Sequence, residues 1–576
     1  MRTHLTTERT PPKYVSRRSC VGALGGIVAS SQTLASEAGV RILREGGNAV
    51  DAAIATAAVL AVTEPCSTGI GGDCFILFYC AKERKVFGLN GSGRSGAACT
   101  WERVMAQTEK EREDPWHARN VTVPGAVAGW CDALEKWGTK SLKEVLAPAI
   151  ELAEGGFPVG EITANGWANG KTQLMRSSET ARAALLINGE RTPANGEIFR
   201  NPRLAERLKA LASEGRDAFY KGECAERICE TVKKAGGFLV PEDLATHTSD
   251  FVTPLSAAFN DLQVYGMPPN GQGIVALNAL NILEQLNLPG MRARGELKGP
   301  MDPKYLHLLV EALRLGFADA RQYVCDPSPS EAYPVPPPDP TLFLTERYGK
   351  ERAVLVQPDR AMDPPDFGKP TMHSETVSFQ TGDSEGNAVS MVNSNFEGFG
   401  SGLIPEGEGF TLQNRGAGFS FDRQALNCYG PTKRPYHTII PGMALHRDST
   451  DLWASFTVMG GFMQPQGHVQ TILAQSLWGM NPQATLDLPR FCLASAERTG
   501  YNRLNEPVVI TLEVGVPQET VEGLRKMGHV VREGLSGYAR DLFGRGQIIR
   551  RVESHGRKFW WGGSDGRADG ACYFHN

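Results

Sequence analysis

The sequence carries no surplus of either charge. Its 60 Lys and Arg against 64 Asp and Glu leave a formal charge of −4, too balanced for a surface that holds nucleic acid or an anionic membrane. It lacks an apolar run of the roughly eighteen residues needed to span a bilayer, and it lacks a fixed-period repeat. With 41% hydrophobic and 22% charged residues it is not a collagen, a coiled coil or a disordered chain. Twelve cysteines are present but no CxxC pair. Most sit in apolar contexts, as Cys80 does after Phe75-Ile76-Leu77-Phe78-Tyr79, so they read as reduced core thiols rather than a disulfide or zinc framework. No HExxH occurs, which removes the zincin site. His373, His437 and His468 stand in motif-dense segments without metal-ligand spacing. No metal and no cofactor is expected.

What is present is length and order. A chain of 576 residues makes several domains, or one large body with more than one core. Arg17-Arg18 and the apolar stretch from Cys20 to Ser31 imitate a signal peptide, but three glycines break the stretch and it runs into a helix. It reads as a buried first strand, and the protein is expected in the cytoplasm. Leu34, Ala38, Val40, Ile42 and Leu43 mark an amphipathic helix that Gly46-Gly47 ends, and Asn48 with Asp51 caps the next, all-apolar helix to about Val62. The glycine loop Ser67–Asp73 precedes the strand Cys74–Tyr79, the wrong order for a phosphate-binding loop, which needs strand, loop and then helix.

Helical patterns follow at Ala126–Trp137, Ser141–Glu154, Leu204–Glu214, Ala225–Ala235, Ile274–Gln285 and Lys304–Tyr323, and the Pro-rich stretch from Asp326 to Asp339 reads as a surface arm. Thr376–Gln380, a turn at Asp383–Gly386 and Ala388–Asn393 make a hairpin. Strands are expected at Thr438–Ala444, Trp453–Val458 and Val508–Leu512, with helices at His468–Gly479 and Gln518–Met527. Helix-rich first and strand-rich later, the chain predicts a layered α/β body.

Three features carry chemistry: Thr376 opening a strand, Gly460-Gly461 closing one, and the polar cluster Lys433–Thr438. A threonine hydroxyl needs an adjacent base. Cutting the Glu375–Thr376 bond would supply one, an α-amine whose unperturbed pKa of about 7.7–8.0 suits neutral pH. Glycine amides at 460 and 461 would then stabilise an oxyanion. Spacing alone does not separate this from an ordinary strand that contains a threonine.

The segments Gly46–Ile54, Ser67–Gly72, Val123–Gly129, Gly386–Ser390, Phe399–Gly402, Lys433–Pro435, Gly460-Gly461 and Gly562–Gly570 together resemble the γ-glutamyltransferase (glutathione hydrolase) family, in order along the chain from about residue 25. The resemblance implies a four-layer αββα N-terminal-nucleophile hydrolase fold, made as one inactive chain that cuts itself. It implies an N-terminal extension over 1–24 without a fixed fold, a helix-rich large subunit over 25–375 and a small subunit over 376–576, the two forming one integrated fold. Thr376, ten residues before the Gly-Asn-Ala-Val motif, takes the nucleophile's place, Gly460 and Gly461 the oxyanion-hole glycines, and Ser394 the second hydroxyl, which otherwise reads as a strand residue. Glu375 and Thr376 flank the expected self-cleavage.

The substrate pocket departs from the family's pattern. His437-Thr438 replace the Ser-Ser pair that holds the glutamyl α-carboxylate, while Arg415 and Gly418 stand where acceptors for the α-ammonium belong. Asn395 and Gln413 are the candidates to compensate, and Arg94 is near but offset from the carboxylate-clamping arginine. Gaining Arg and losing a carboxylate disfavours an ammonium. The leading expectation is a γ-glutamyl amide hydrolase or transferase, whose partners are that small-molecule substrate and its own two subunits. The alternatives are a dicarboxylate-acyl amide acylase of the glutaryl or cephalosporin type, and an uncut, non-catalytic relative acting as a scaffold.

Overall fold

The computed structural model describes residues 18–328, 337–362, 375–495 and 508–576. His373 and most of the Pro-rich arm lie outside these. The first strands are β1 (Val21–Ala23), β2 (Gly26–Ser30), β3 (Asp73–Cys80), β4 (Lys85–Gly91), the short pair β5 (Phe157–Pro158) and β6 (Ile198–Phe199), β7 (Asp250–Val252), β8 (Leu255–Phe259) and β9 (Leu262–Gly266). From Glu375 onward come β10 (Glu375–Gly382), β11 (Ala388–Phe396), β12 (Gly442–His446), β13 (Leu452–Met459), β14 (Phe491–Ser495), β15 (Val508–Glu513), β16 (Val530–Leu535), β17 (Arg545–Ser554), β18 (Arg557–Ser564) and β19 (Ala571–His575).

Two seven-stranded sheets dominate, in the orders β1-β18-β17-β13-β12-β9-β8 and β19-β2-β10-β11-β3-β4-β7. Each mixes strands from before and after Glu375, so neither stretch completes either of these two sheets alone. The extension expected over 1–24 is described from Arg18, and the ordered chain starts earlier than expected: Val21–Ala23 already pairs with Gly562–Trp560 along the edge of one sheet.

The period-2 alternation of a strand assigns each side chain to a layer. On β3, Phe75, Leu77 and Tyr79 join Ile27, Met443, Ile549 and Trp560 in the core between the sheets. The alternate residues Cys74, Ile76 and Phe78 face the helical layer of Ala49–Thr63 and Ala126–Trp137. On the far side, Ala454 and Phe456 of β13 meet the helices Gly273–Gln285, Pro303–Tyr323 and Met463–Ser476. This is helix, sheet, sheet, helix, the N-terminal-nucleophile hydrolase arrangement.

Local rules hold where the sequence signalled them. Asn48 and Asp51 form a capping box, and every residue of Ala49–Thr63 is buried. All twelve cysteines are free thiols, and nine are buried. Two expectations shift. The strand expected at Thr438–Ala444 begins only at Gly442, because the Ile439 and Ile440 amides donate to His437 Nδ1 and Gln464 Oε1 instead of a ladder and Pro441 has no amide to give. The helix expected from His468 starts at Met463, one residue beyond the glycine pair.

Candidate active site

Thr376 and Ser394 face the space between the sheets, one at the start of β10 and the other near the end of β11. Both are fully buried. The register of β10 on β11 shifts between Glu375 and Val377, so Thr376 occupies an irregular position in an otherwise regular ladder, where a side chain is re-aimed. Its Oγ1 lies 3.0 Å from Ser394 Oγ. The Glu375 backbone pairs with Phe396.

Two N–H donors converge on Ser394 Oγ: Phe396 N at 2.9 Å and Arg415 Nη2 at 3.0 Å. A hydroxyl oxygen has two lone pairs and one hydrogen. With both lone pairs taken, Ser394 serves as a donor, and Thr376 Oγ1 is the acceptor placed for it. Arg415 reaches on to Thr438, its Nη1 donating to Oγ1 at 2.6 Å, and its guanidinium lies 4.4 Å from the Phe396 ring centroid. Burial pulls the Arg415 pKa down to about 9 against the opposing fields of Asp73 and Glu397, so the group stays a cation at neutral pH. Gln413 Oε1 accepts from the Arg415 amide, and its Nε2 donates to the Thr122 carbonyl at 3.1 Å.

His437 packs at 4.7 Å from the Phe75 ring, with Nε2 3.1 Å from Asp73 Oδ2. Burial, then the Arg415 charge, lowers its pKa to about 3. It is therefore neutral and donates Nε2–H to Asp73, whose other oxygen accepts from the Gly93 and Gly125 amides at 3.1 and 3.0 Å. Among the described residues, Asp73 and His437 have no third side chain of ligand type within metal-binding reach.

Gly460 and Gly461 lie at the same end of the sandwich. Gln272 Nε2 donates to both Thr438 O, at 2.7 Å, and Gly461 O, at 2.8 Å, tying the glycine turn to the Arg415 partner. Their φ values of +126° and +56° suit glycine. The Gly460 carbonyl accepts from Met463 N at 2.9 Å at the helix start. In a trans peptide the Gly461 N–H then points the opposite way, out of the helix end.

Thr376, Ser394, Arg415, Gln413, His437 and Thr438 thus come together with the glycine pair. Asn395 is next in sequence but turned to the other face of its strand, donating to Thr411 Oγ1 at 3.2 Å. Arg94 stands apart. It pairs with Asp250 at 3.4 Å, an acid shared with Arg434; Asp250 and Arg434, with Asn90, Pro269 and Asn278, line a cavity of about 310 Å³. Sequence reasoning missed Asp73, quoted only as the end of a glycine loop, and Glu397. Burial pushes the Glu397 carboxyl up to about 8.

The family model for gamma-glutamyltranspeptidase matches residues 35–574, and the chain belongs to that family of amide hydrolases. Among curated relatives it is 33% identical over 546 residues to the glutathione hydrolase-like YwrD proenzyme of Bacillus subtilis, covering 95% of this chain and 98% of that one. It is 31% identical over 552 residues to the oxamate amidohydrolase proenzyme of Klebsiella pneumoniae, covering 95% and 98%. Among solved structures, a cephalosporin acylase from Bacillus halodurans matches with a TM-score of 0.86 and 36% identity, over 99% of this chain and 100% of that one.

Proposed function

We propose that this protein is a self-processing threonine amidohydrolase whose acyl donor ends in a carboxylate and carries no ammonium beside it. The observation that carries the reading is the environment of Arg415: a buried cation whose terminal nitrogens, among the described residues, meet the hydroxyls of Ser394 and Thr438 and no carboxylate. Such a cation repels an ammonium and attracts a carboxylate. The acylase and oxamate amidohydrolase relatives agree with an acyl group of this kind.

In this reading, Thr376 Oγ1 first attacks the Glu375 carbonyl, and water hydrolyses the resulting ester to leave residues 1–375 and 376–576 as two subunits. The freed Thr376 amine takes the hydroxyl proton. Oγ1 attacks the donor carbonyl, and the Gly460 and Gly461 amides meet the oxyanion. The leaving amine departs with the proton, and water or an acceptor amine resolves the acyl-enzyme. Ser394, donating to Oγ1, keeps one lone pair occupied and leaves Thr376's own hydrogen for the amine.

A γ-glutamyl donor is the second reading. Glu397 Oε1 is buried without a hydrogen-bond partner among the described residues, and an ammonium would satisfy it. A carboxyl that titrates at about 8 is mostly protonated at pH 7, so it offers little charge, and this reading ranks below the first.

The test compares glutaryl and γ-glutamyl p-nitroanilides on purified protein, with a denaturing gel alongside. Two bands, lost in Thr376→Ala, and a kcat/KM that favours the glutaryl donor by about tenfold or more, the equivalent of one charge contact, are expected. Turnover of the γ-glutamyl donor alone refutes the substrate assignment. One persistent band with no turnover refutes the enzyme.

A further inference from the structure

Outside the Thr376 cluster, three side chains of metal-ligand type converge. His307 and Glu311 stand one turn apart on the helix Pro303–Tyr323 and so share a face. His529 arrives from the turn between the helix Gln518–Lys526 and β16. One ligand atom from each of the three lies within 4.8 Å of the others, and His307 Nδ1 is 2.8 Å from His529 Nε2. His307 and Glu311 are fully buried, while His529 is half-buried, so solvent has a way in.

The surroundings are those of ligands held for a metal. His307 Nε2 lies 2.6 Å from the Gln357 carbonyl, which can only accept. The ring proton is therefore on Nε2, and in the neutral ring Nδ1 presents its lone pair to His529. Glu311 is fixed from its other lone pairs by Arg314 Nη1 at 2.6 Å and Met362 N at 2.8 Å. A backbone carbonyl that sets the tautomer of a histidine and donors that orient a carboxylate are the outer shell that metal ligands require.

We propose that His307, Glu311 and His529 bind a divalent zinc ion, with water in the fourth position. Two imidazoles and one carboxylate suit zinc and exclude magnesium and calcium, which take oxygen ligands. Tetrahedral bonds of about 2.0–2.2 Å place ligand atoms some 3.3–3.5 Å apart. The two rings part by about half an ångström and the carboxylate closes in. The His529 proton moves from Nε2 to Nδ1, and no proton is lost from the site. His307 and Glu311 precede Glu375 in the chain and His529 follows it, so the ion is a staple across the two halves. It also braces the Gln357–Met362 segment that leads toward Thr376. The site does not depend on the substrate reading above, or on cleavage.

The experiment uses the full-length protein as purified, and in parallel the Thr376→Ala chain. Each is stripped with a chelator, equilibrated with zinc sulfate, gel-filtered and assayed for metal by mass spectrometry. About one zinc per chain is expected, with a Tm rise of about 3 °C in excess zinc. His529→Gln, at the half-exposed position, should lose the bound zinc while the metal-free Tm stays close to wild type. Cobalt(II) gives a second readout on the unmutated protein, the visible absorption of a tetrahedral nitrogen-oxygen site. Zinc retained equally by His529→Gln, or no zinc and no cobalt spectrum in wild type, overturns the proposal and leaves a hydrogen-bonded histidine pair only.

Discussion

Thr376 Oγ1 and Ser394 Oγ lie 3.0 Å apart across neighbouring strands, and Ser394 is itself saturated as an acceptor by Phe396 N and Arg415 Nη2. The direction of the hydrogen bond therefore follows from the donors around it. Ser394→Ala removes one bond to the candidate nucleophile and leaves an Arg415 N–H unpaired. Slower self-cleavage and a kcat lower by about tenfold are expected, since one such bond contributes about 1–1.5 kcal/mol. Ser394→Thr, keeping the hydroxyl, should recover most of both, read from the gel time course and steady-state rates.

Arg415→Leu tests the buried cation. The shape is roughly kept and the charge is lost, so kcat/KM for a glutaryl anilide should fall by about 10²-fold, the scale of a buried charge-assisted bond. The rate on a neutral acyl anilide should change far less. An equal loss on both substrates would show that Arg415 acts on Ser394 rather than on the acyl group.

Gly460 has φ +126°, and a Cβ there would stand 3.1 Å from Gly544 Cα and 3.4 Å from Met463 Cβ. Gly460→Ala is expected to lower stability by roughly 1–3 kcal/mol and to tilt the amides proposed to meet the oxyanion. A kcat loss of about 10²–10³ with little change in KM is the kinetic signature, and thermal unfolding measures the strain separately.

Asp73 accepts from His437 Nε2–H and from two backbone amides. Asp73→Asn turns an NH2 toward one of these donors. The mismatch should cost about 1–3 kcal/mol, measurable by denaturant unfolding. His437→Ala in the same background should recover part of the loss if the clash is with the imidazole.

Glu397 gives a pH signature. Burial raises its carboxyl from 4.5 to about 8, so below pH 4.5 both folded and unfolded states are protonated and the group is neutral in effect. Between pH 4.5 and 8 the unfolded chain ionises while the folded one resists, and stability falls as pH rises. Glu397→Gln removes this term. The variant should gain Tm relative to wild type at pH 8 and show no gain at pH 4, by calorimetry at both values.

Much of the fold was legible because its signals are local. Asn48 and Asp51 announced a cap, alternation announced the hairpin of β10 and β11, and a wholly apolar run announced the buried helix Ala49–Thr63. Thr438–Ala444 misled because its β-branched start, Thr438-Ile439-Ile440, suits a strand, yet Pro441 and the side chains of His437 and Gln464 intercept the backbone. The last strand, β19, was silent, since five residues that add to an existing sheet need little pattern of their own.

By itself the sequence determined the family and the layered class of fold, and it singled out Thr376, Ser394 and the glycine pair as candidates, because those rest on ordered motifs and strand periodicity. Only the tertiary structure decided what surrounds them. Arg415 is bonded to both Ser394 and Thr438, Arg94 is drawn away to Asp250, and Asp73 holds His437 from 364 residues away in the chain. Hydrogen bonds and ion pairs act over a few ångströms, and no spacing along a chain encodes which distant side chains packing will bring within that range.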